Sequence, residues 1–289
     1  MRSPNGNIIV LICLIVGFGL IVINFGNYEG LSIKTFQRNV ASKVHPETIQ
    51  YYQSQIQARK NNLQNVPDSA DFGILYNVLV PEVFCSDLVR VGTVVDGGKW
   101  ICNPVQVRNL DKCTVYALGV NNDPSFEEDF QKFTHQKCFL RSFDKDMQNQ
   151  NTLDRIKNVN DRIKNVNGVF KKALITSKPD HSKDMYTFKD LLQFFGDSKI
   201  DILKIDIEGF EFEIKEELVS VPMCQILIEV HGKTSRIALD FLIFLSKHGF
   251  YLFSYEINGF WHDLSEYSFI HESCLNDYDV NVVYGRYLS

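Results

Sequence analysis

Two stretches of this 289-residue chain carry acids where an apolar run stops. In "ILKIDIEGFEFEI" (202–214), Asp206 and Glu208 follow Ile205, and Glu211 lies beyond Gly209. In "QILIEVHG" (225–232), Glu229 and His231 close the run. Residues two apart in a strand share a face, so each pair points one way. If the two strands are neighbours, four titratable groups converge at one sheet edge. Carboxylates near a histidine can make a general base or bind a divalent cation. Any single acid at a strand exit is also explained as a cap for the following helix, and Glu211 as first-turn helix charge. The same pattern at two consecutive exits is less well explained that way. Asp206, Glu208, Glu229 and His231 are therefore the catalytic candidates, with no metal assigned.

A second chemistry-bearing loop is "YALGVNNDPSFEEDF" (116–130). Gly119 allows a tight turn after a strand. Asp123 before Pro124 reads as a helix N-cap with proline at the first helical position, and Ser125 with Glu128 as an alternative capping box. A dinucleotide site wants several glycines and bare amides to hold pyrophosphate. This loop has one glycine, and Asp123 and Glu127 would repel phosphate. It suits a ligand with ammonium and sulfonium groups and no phosphate, which describes S-adenosylmethionine. Asp144 in "RSFDKD" lies 25 positions after Gly119, near the spacing at which an acid meets ribose hydroxyls, with Asp146 as the fallback. "DKD" also fits a metal-dependent glycosyltransferase.

The elements that must position these residues alternate along the chain. Strand-like runs at 113–120, 137–143, 168–176, 199–207 and 224–230 each precede a helix-like run, the fourth of these at 210–218. Runs at 250–257 and 279–287 close the chain as strands, and "VGTVVDGGKWICNP" reads as a β-hairpin around Asp96-Gly97-Gly98. Five β-then-α units ending in a strand pair predict an α/β fold: a mostly parallel sheet with an antiparallel C-terminal edge. In such a sheet ligands bind beyond the C-terminal strand ends, at the point where strand order switches. "DRIKNVN" at 154–160 recurs at 161–167, which reads as a neutral insertion of two helical turns.

Composition sets the wider frame. With 45% hydrophobic residues the chain can bury a sizeable core, and a net charge of −5 without a basic stripe argues against a nucleic-acid partner. Residues 8–25, "IIVLICLIVGFGLIVINF", are uncharged and span roughly 27 Å as a helix, which predicts a membrane anchor. The expected organisation is a tail at 1–7, the anchor at 8–25, a polar stem at 26–70 and the domain at 71–289. Six cysteines outside the anchor (Cys85, Cys102, Cys113, Cys138, Cys224 and Cys274) permit disulfides of undetermined pairing. The expected location is an endomembrane (ER or Golgi) with the domain in the lumen, or secretion if the N-terminal segment is cleaved.

"ILKIDIEGFEFEI" resembles the Lys-x-Asp-x-Glu-Gly-x-Glu signature of FkbM-type methyltransferases. With "DGGKWICNP", "CTVYALGVNNDPSFE" and "QILIEVH" in this order, residues 85–289 are similar to the animal methyltransferase-like proteins with an N-terminal hydrophobic segment. The resemblance implies a Rossmann-like methyltransferase fold that uses S-adenosylmethionine. It implies that Gly119, Asn121, Asp123, Phe126 and Glu127 line the cofactor's methionine end. Asp144 would take the ribose hydroxyls, and Asp206 and Glu208 would face the methyl-transfer centre. In this group the ribose-binding acid is often followed by proline, whereas Lys145 follows Asp144. The expected reaction is methyl transfer to an oxygen or nitrogen of an unknown acceptor, with His231, Asp206 or Glu208 receiving its proton. A membrane-anchored glycosyltransferase using Asp144 and Asp146 with a divalent metal, and a non-catalytic binding ectodomain, are the alternatives. A dinucleotide oxidoreductase is disfavoured by the acidic, glycine-poor loop.

Overall fold

The structure, a computed structural model, describes residues 44–94, 96–158 and 168–289. The expected anchor at 8–25 and the second copy of the heptad lie outside these residues. Among the described residues no helix is long and apolar enough to cross a membrane.

Seven strands form the main sheet. Five run parallel: β4 (Thr114–Leu118), β5 (Phe139–Asp144), β6 (Val169–Lys172), β9 (Ile200–Ile205) and β10 (Met223–His231). Strand β12 (Leu264–His271) pairs antiparallel with β10 and with β11 (Phe250–Ile257). The order is β11-β12-β10-β9-β4-β5-β6. Chain order therefore reverses between β4 and β9, where a doubly wound sheet opens its ligand crevice. This is a Rossmann-like, doubly wound topology with the expected antiparallel edge.

Strands β4 and β9 are buried at every position, as central parallel strands covered on both faces must be. Alternate residues feed two core clusters. Tyr116, Leu118, Leu203 and Ile205 face one, with Leu191 of α6 (Phe188–Phe195) and Leu242 of α7 (Ser235–Lys247). Val115 and Ile202 face the other, with Phe126 and Phe130 of α4 (Ser125–Phe133) and Ile156 of α5 (Gln150–Asn158). Side-chain caps fix the entries to two helices: Thr187 and Asp190 form a capping box before α6, and Thr234 accepts from the Ile237 amide at the start of α7. The expected hairpin is present as β2 (Leu88–Val91) paired with β3 (Lys99–Cys102).

Four expectations change. Residues 210–218 form two 3₁₀ turns, Phe210–Phe212 and Glu217–Val219, in place of an α-helix. The apolar residues Phe210, Phe212 and Ile214 alternate with acids, a spacing that does not build a helical stripe. Strand β12 was not expected, because its buried polar residues Ser265, Glu266 and Ser268 break the apolar signal. Residues 279–287 contribute only β13 (Asn281–Val282), paired with β1 (Val83–Phe84). Finally, the stem is not separate from residue 47 on: Glu47–Ser289 is one compact unit, with Leu63 and Val66 buried and Arg59 donating to the Val78 carbonyl at 2.7 Å. The six cysteines pair as Cys85–Cys102, Cys113–Cys138 and Cys224–Cys274.

Candidate functional site

At the switch point the tips of β4 and β9 touch. Gly119 has φ +76°, and a Cβ there would lie 1.7 Å from the Asp206 carbonyl oxygen, so only glycine fits. The buried Lys204 of β9 donates from Nζ to the Gly119 carbonyl at 2.7 Å and to that of Leu118 at 3.3 Å. Beyond Gly119, Asn121 and Asn122 both adopt positive φ, which turns the loop towards β5. There the Asn121 amide donates to Asp144 Oδ2 at 2.9 Å and the Asp146 amide to Oδ1 at 2.9 Å. Asp144 is thus held at the tip of β5, beside the loop of β4.

The remaining residues of this loop divide between capping, core and crevice. Asp123 accepts from the amide and hydroxyl of Ser125, each at 3.1 Å, while Pro124 takes the N-cap position itself. Glu128 does not close a capping box; it pairs bidentately with Arg155 at 2.9 and 2.8 Å. Phe126 packs in the core against Phe130, with ring centroids 6.0 Å apart. Glu127 is different. It is 1% exposed, and neither carboxylate oxygen has a hydrogen-bond partner. Burial pushes its pKa up, opposed by the nearby Lys204 ammonium. A buried carboxylate without a hydrogen-bond partner is costly, and such a group takes up a proton or gains an ionic partner.

A second cluster lies at the tips of β9 and β10. The strands are parallel neighbours, so the expected convergence occurs: one donor atom each from Asp206, Glu229 and His231 lie within 4.8 Å of one another. Glu208, with φ +55° and an exposed side chain, places Oε2 3.5 Å from His231 Nε2. Asp144 and Asp146 are not in this group, and among the described residues no other trio of potential metal ligands gathers.

Three further residues of the cluster, Lys99, Glu266 and Lys204, were not singled out by the sequence, and a fourth, Glu211, was read otherwise. Lys99 of β3 is 1% exposed; its Nζ lies 2.5 Å from Glu266 Oε1 and 3.5 Å from Asp206 Oδ2. Glu266 of β12 stands directly opposite Glu229 of β10. Glu211, read as helix charge, is fully buried and accepts from the His231 amide at 2.6 Å, with His231 Nδ1 3.1 Å from the same oxygen. Lys204 completes the set. A lysine inside an otherwise buried run, as at 99 and 204, is the signal that could have found two of them.

These charges set each other. Burial disfavours the Lys99 ammonium, but Glu266 and Asp206 outweigh it and hold its pKa up. Burial likewise raises Asp206, yet Lys99 and Lys204 bring it below the usual range. Glu229 goes up, through burial and the charges of Asp206 and Glu266. His231 resists burial and is raised to about 9 by Glu211, Glu229 and Asp206.

Residues 33–271 match the model of a family described as a methyltransferase domain. No protein of curated function matches the chain. Similar solved structures include the Methanococcus jannaschii fibrillarin pre-rRNA processing protein, at 12% identity over 64% of this chain and 89% of that one, with a TM-score of 0.37. They also include M. capricolum TrmK with S-adenosyl-homocysteine, at 14% identity, 58% and 67% coverage and a TM-score of 0.34. A spermidine synthase complexed with a transition-state analogue matches at 9% identity, 68% and 74% coverage and a TM-score of 0.32. The family match spans both strand-tip clusters, and the chain belongs to this methyltransferase-domain family.

Proposed function

We propose that the domain is an S-adenosylmethionine-dependent methyltransferase of the FkbM-type branch, transferring methyl to an oxygen or nitrogen of its acceptor. The observation that carries this reading is Glu127, a buried carboxylate with both oxygens unpartnered beside the switch point. It fits the ammonium of the cofactor's methionine end, and Asp144 at the next strand tip fits the ribose hydroxyls. Asp123 and Asn121 shape that loop, and Phe126 supports it from below. S-adenosylmethionine supplies a methyl group on a sulfonium, ready for in-line displacement.

The protein's own part is placement and proton handling. Holding donor and acceptor in line is worth the most, and a positioned base adds about 10²–10⁴-fold. Asp206 and Glu229 face each other in the cluster and are the pair that receives the acceptor's proton. His231 is held by Glu211 at Nδ1 and orients the cluster. The same reading places the domain in an oxidising lumen, anchored by residues 8–25; six cysteines in three disulfides support that compartment.

S-adenosylhomocysteine added to the full-length chain is expected to raise its unfolding temperature. A uridine-diphosphate sugar with Mn²⁺ is expected to add nothing beyond Mn²⁺ alone. The opposite pattern would replace this reading with the glycosyltransferase.

A further inference from the structure

The cluster at the tips of β9 and β10 contains more carboxylate than its cations satisfy. Asp206, Glu229, Glu211 and Glu266 meet there with three cationic groups, Lys99, Lys204 and His231. Lys99 occupies only one oxygen of Glu266; the second, Oε2, is buried and has no partner, on a side chain 9% exposed. Glu211 repeats this, with Oε1 engaged by His231 and Oε2 buried and unpartnered on a fully buried side chain.

The arrangement around His231 is the second observation. Glu211 holds its Nδ1 side at 3.1 Å and its backbone amide at 2.6 Å, which fixes the ring. Nε2 lies 3.5 Å from the exposed Glu208, too long for a strong hydrogen bond. A carboxylate behind one imidazole nitrogen is how proteins fix the orientation of a metal-binding histidine.

We propose that Asp206, Glu229 and His231 bind one divalent first-row cation, with Glu211 as the positioning residue behind His231. Two carboxylate oxygens and one imidazole nitrogen suit such an ion and leave coordination positions open. Their donor atoms, mutually within 4.8 Å, lie close enough to share it. The unpartnered oxygens of Glu266 and Glu211 add negative potential around it.

This inference rests on the methyltransferase reading for its consequence, which is a choice of acceptor. A hard cation there draws in an oxygen ligand, so the acceptor is a hydroxyl compound rather than an amine. The ion lowers the pKa of that hydroxyl, and its proton passes to a carboxylate oxygen of Asp206 or Glu229 that does not hold the ion. The acceptor oxygen then bonds to the methyl carbon. The carbon–sulfur bond breaks, and its electron pair returns to sulfur.

The test is titration of Mn²⁺ into the full-length chain, followed by the electron paramagnetic resonance of the free ion, with S-adenosylhomocysteine binding measured on the same samples. One Mn²⁺ per chain is expected. E229Q and H231A are expected to weaken it at least tenfold, and E211Q by about 10–100-fold. Selective broadening of the His231 ring resonances by Mn²⁺ in the unaltered chain gives the same answer if the variants do not fold. A chain that binds S-adenosylhomocysteine but no Mn²⁺ overturns the cation site and leaves the methyltransferase reading standing. Mn²⁺ bound with His231 unbroadened, or equally well by E229Q, overturns it too. Mn²⁺ bound at His231 without S-adenosylhomocysteine supports the cation site and removes the reading it was attached to.

Discussion

At the scale of single residues, the sequence announced the acids and concealed their partners. Asp206, Glu229 and His231 could be found because an acid ending an apolar run is conspicuous, and two neighbouring runs end alike. Glu266 could not, since the lysine that explains it, Lys99, lies 167 positions away. Glu211 looked like ordinary helix charge until its burial against His231 was visible. Glu127 was expected for its charge, but its isolation is a structural fact, and it yields a pH prediction. Its pKa is raised by burial, so it takes up a proton at a higher pH than an exposed glutamate. The protonated form cannot pair with the cofactor's ammonium. Affinity for S-adenosylhomocysteine is therefore full above the raised pKa and falls as pH drops through it, a fall that calorimetry across pH would record. In E127Q that part of the pH dependence should vanish, and affinity at neutral pH should drop at least about 30-fold, the consequence of losing about 2 kcal/mol or more from a desolvated charge pair.

At the scale of elements, strands with a mostly apolar run were legible and more mixed ones were not. Strands β4, β9 and β10 lie in the middle of the sheet, are buried almost throughout, and keep apolar runs broken only by single polar residues such as Asp201, Lys204 and Glu229. Strand β12 escaped notice because Glu266, Ser265 and Ser268 face buried polar surroundings that only the fold supplies. Two predictions belong here. The hairpin β2–β3 is tied to the sheet through Lys99, so K99M leaves Glu266 and Asp206 without their cation. Removing one partner of such a buried pair costs about 3–5 kcal/mol, which denaturant unfolding would measure. G119A forces a Cβ into the Asp206 carbonyl at positive φ and should push the tips of β4 and β9 apart. A loss exceeding about 1 kcal/mol, together with weaker cofactor binding, is the expected result. A G119A chain as stable as its parent would refute the close approach.

At the scale of the whole molecule, the alternation of strand and helix was enough to give a parallel sheet with an antiparallel edge, while its strand order had to be seen. The order places the reversal between β4 and β9, and both clusters stand at strand tips flanking that point. The disulfide pairing was equally out of reach, because six cysteines allow fifteen pairings and nothing local chooses among them. Cys224–Cys274 closes the longest loop, 50 residues, and ties the start of β10 to the chain just past β12. Loop-closure entropy assigns it about 4 kcal/mol, so replacing both cysteines with serine should lower Tm by roughly 10 °C in a thermal melt. A melt unchanged by that replacement would mean the bond contributes nothing.

The central claim is that the switch-point crevice holds S-adenosylmethionine through Glu127. Calorimetric titration of the full-length chain with S-adenosylhomocysteine tests it most directly. One site per chain, lost or weakened at least about 30-fold in E127Q, is the predicted result. A chain that gives no binding, or an E127Q variant that binds as tightly as its parent, would contradict it.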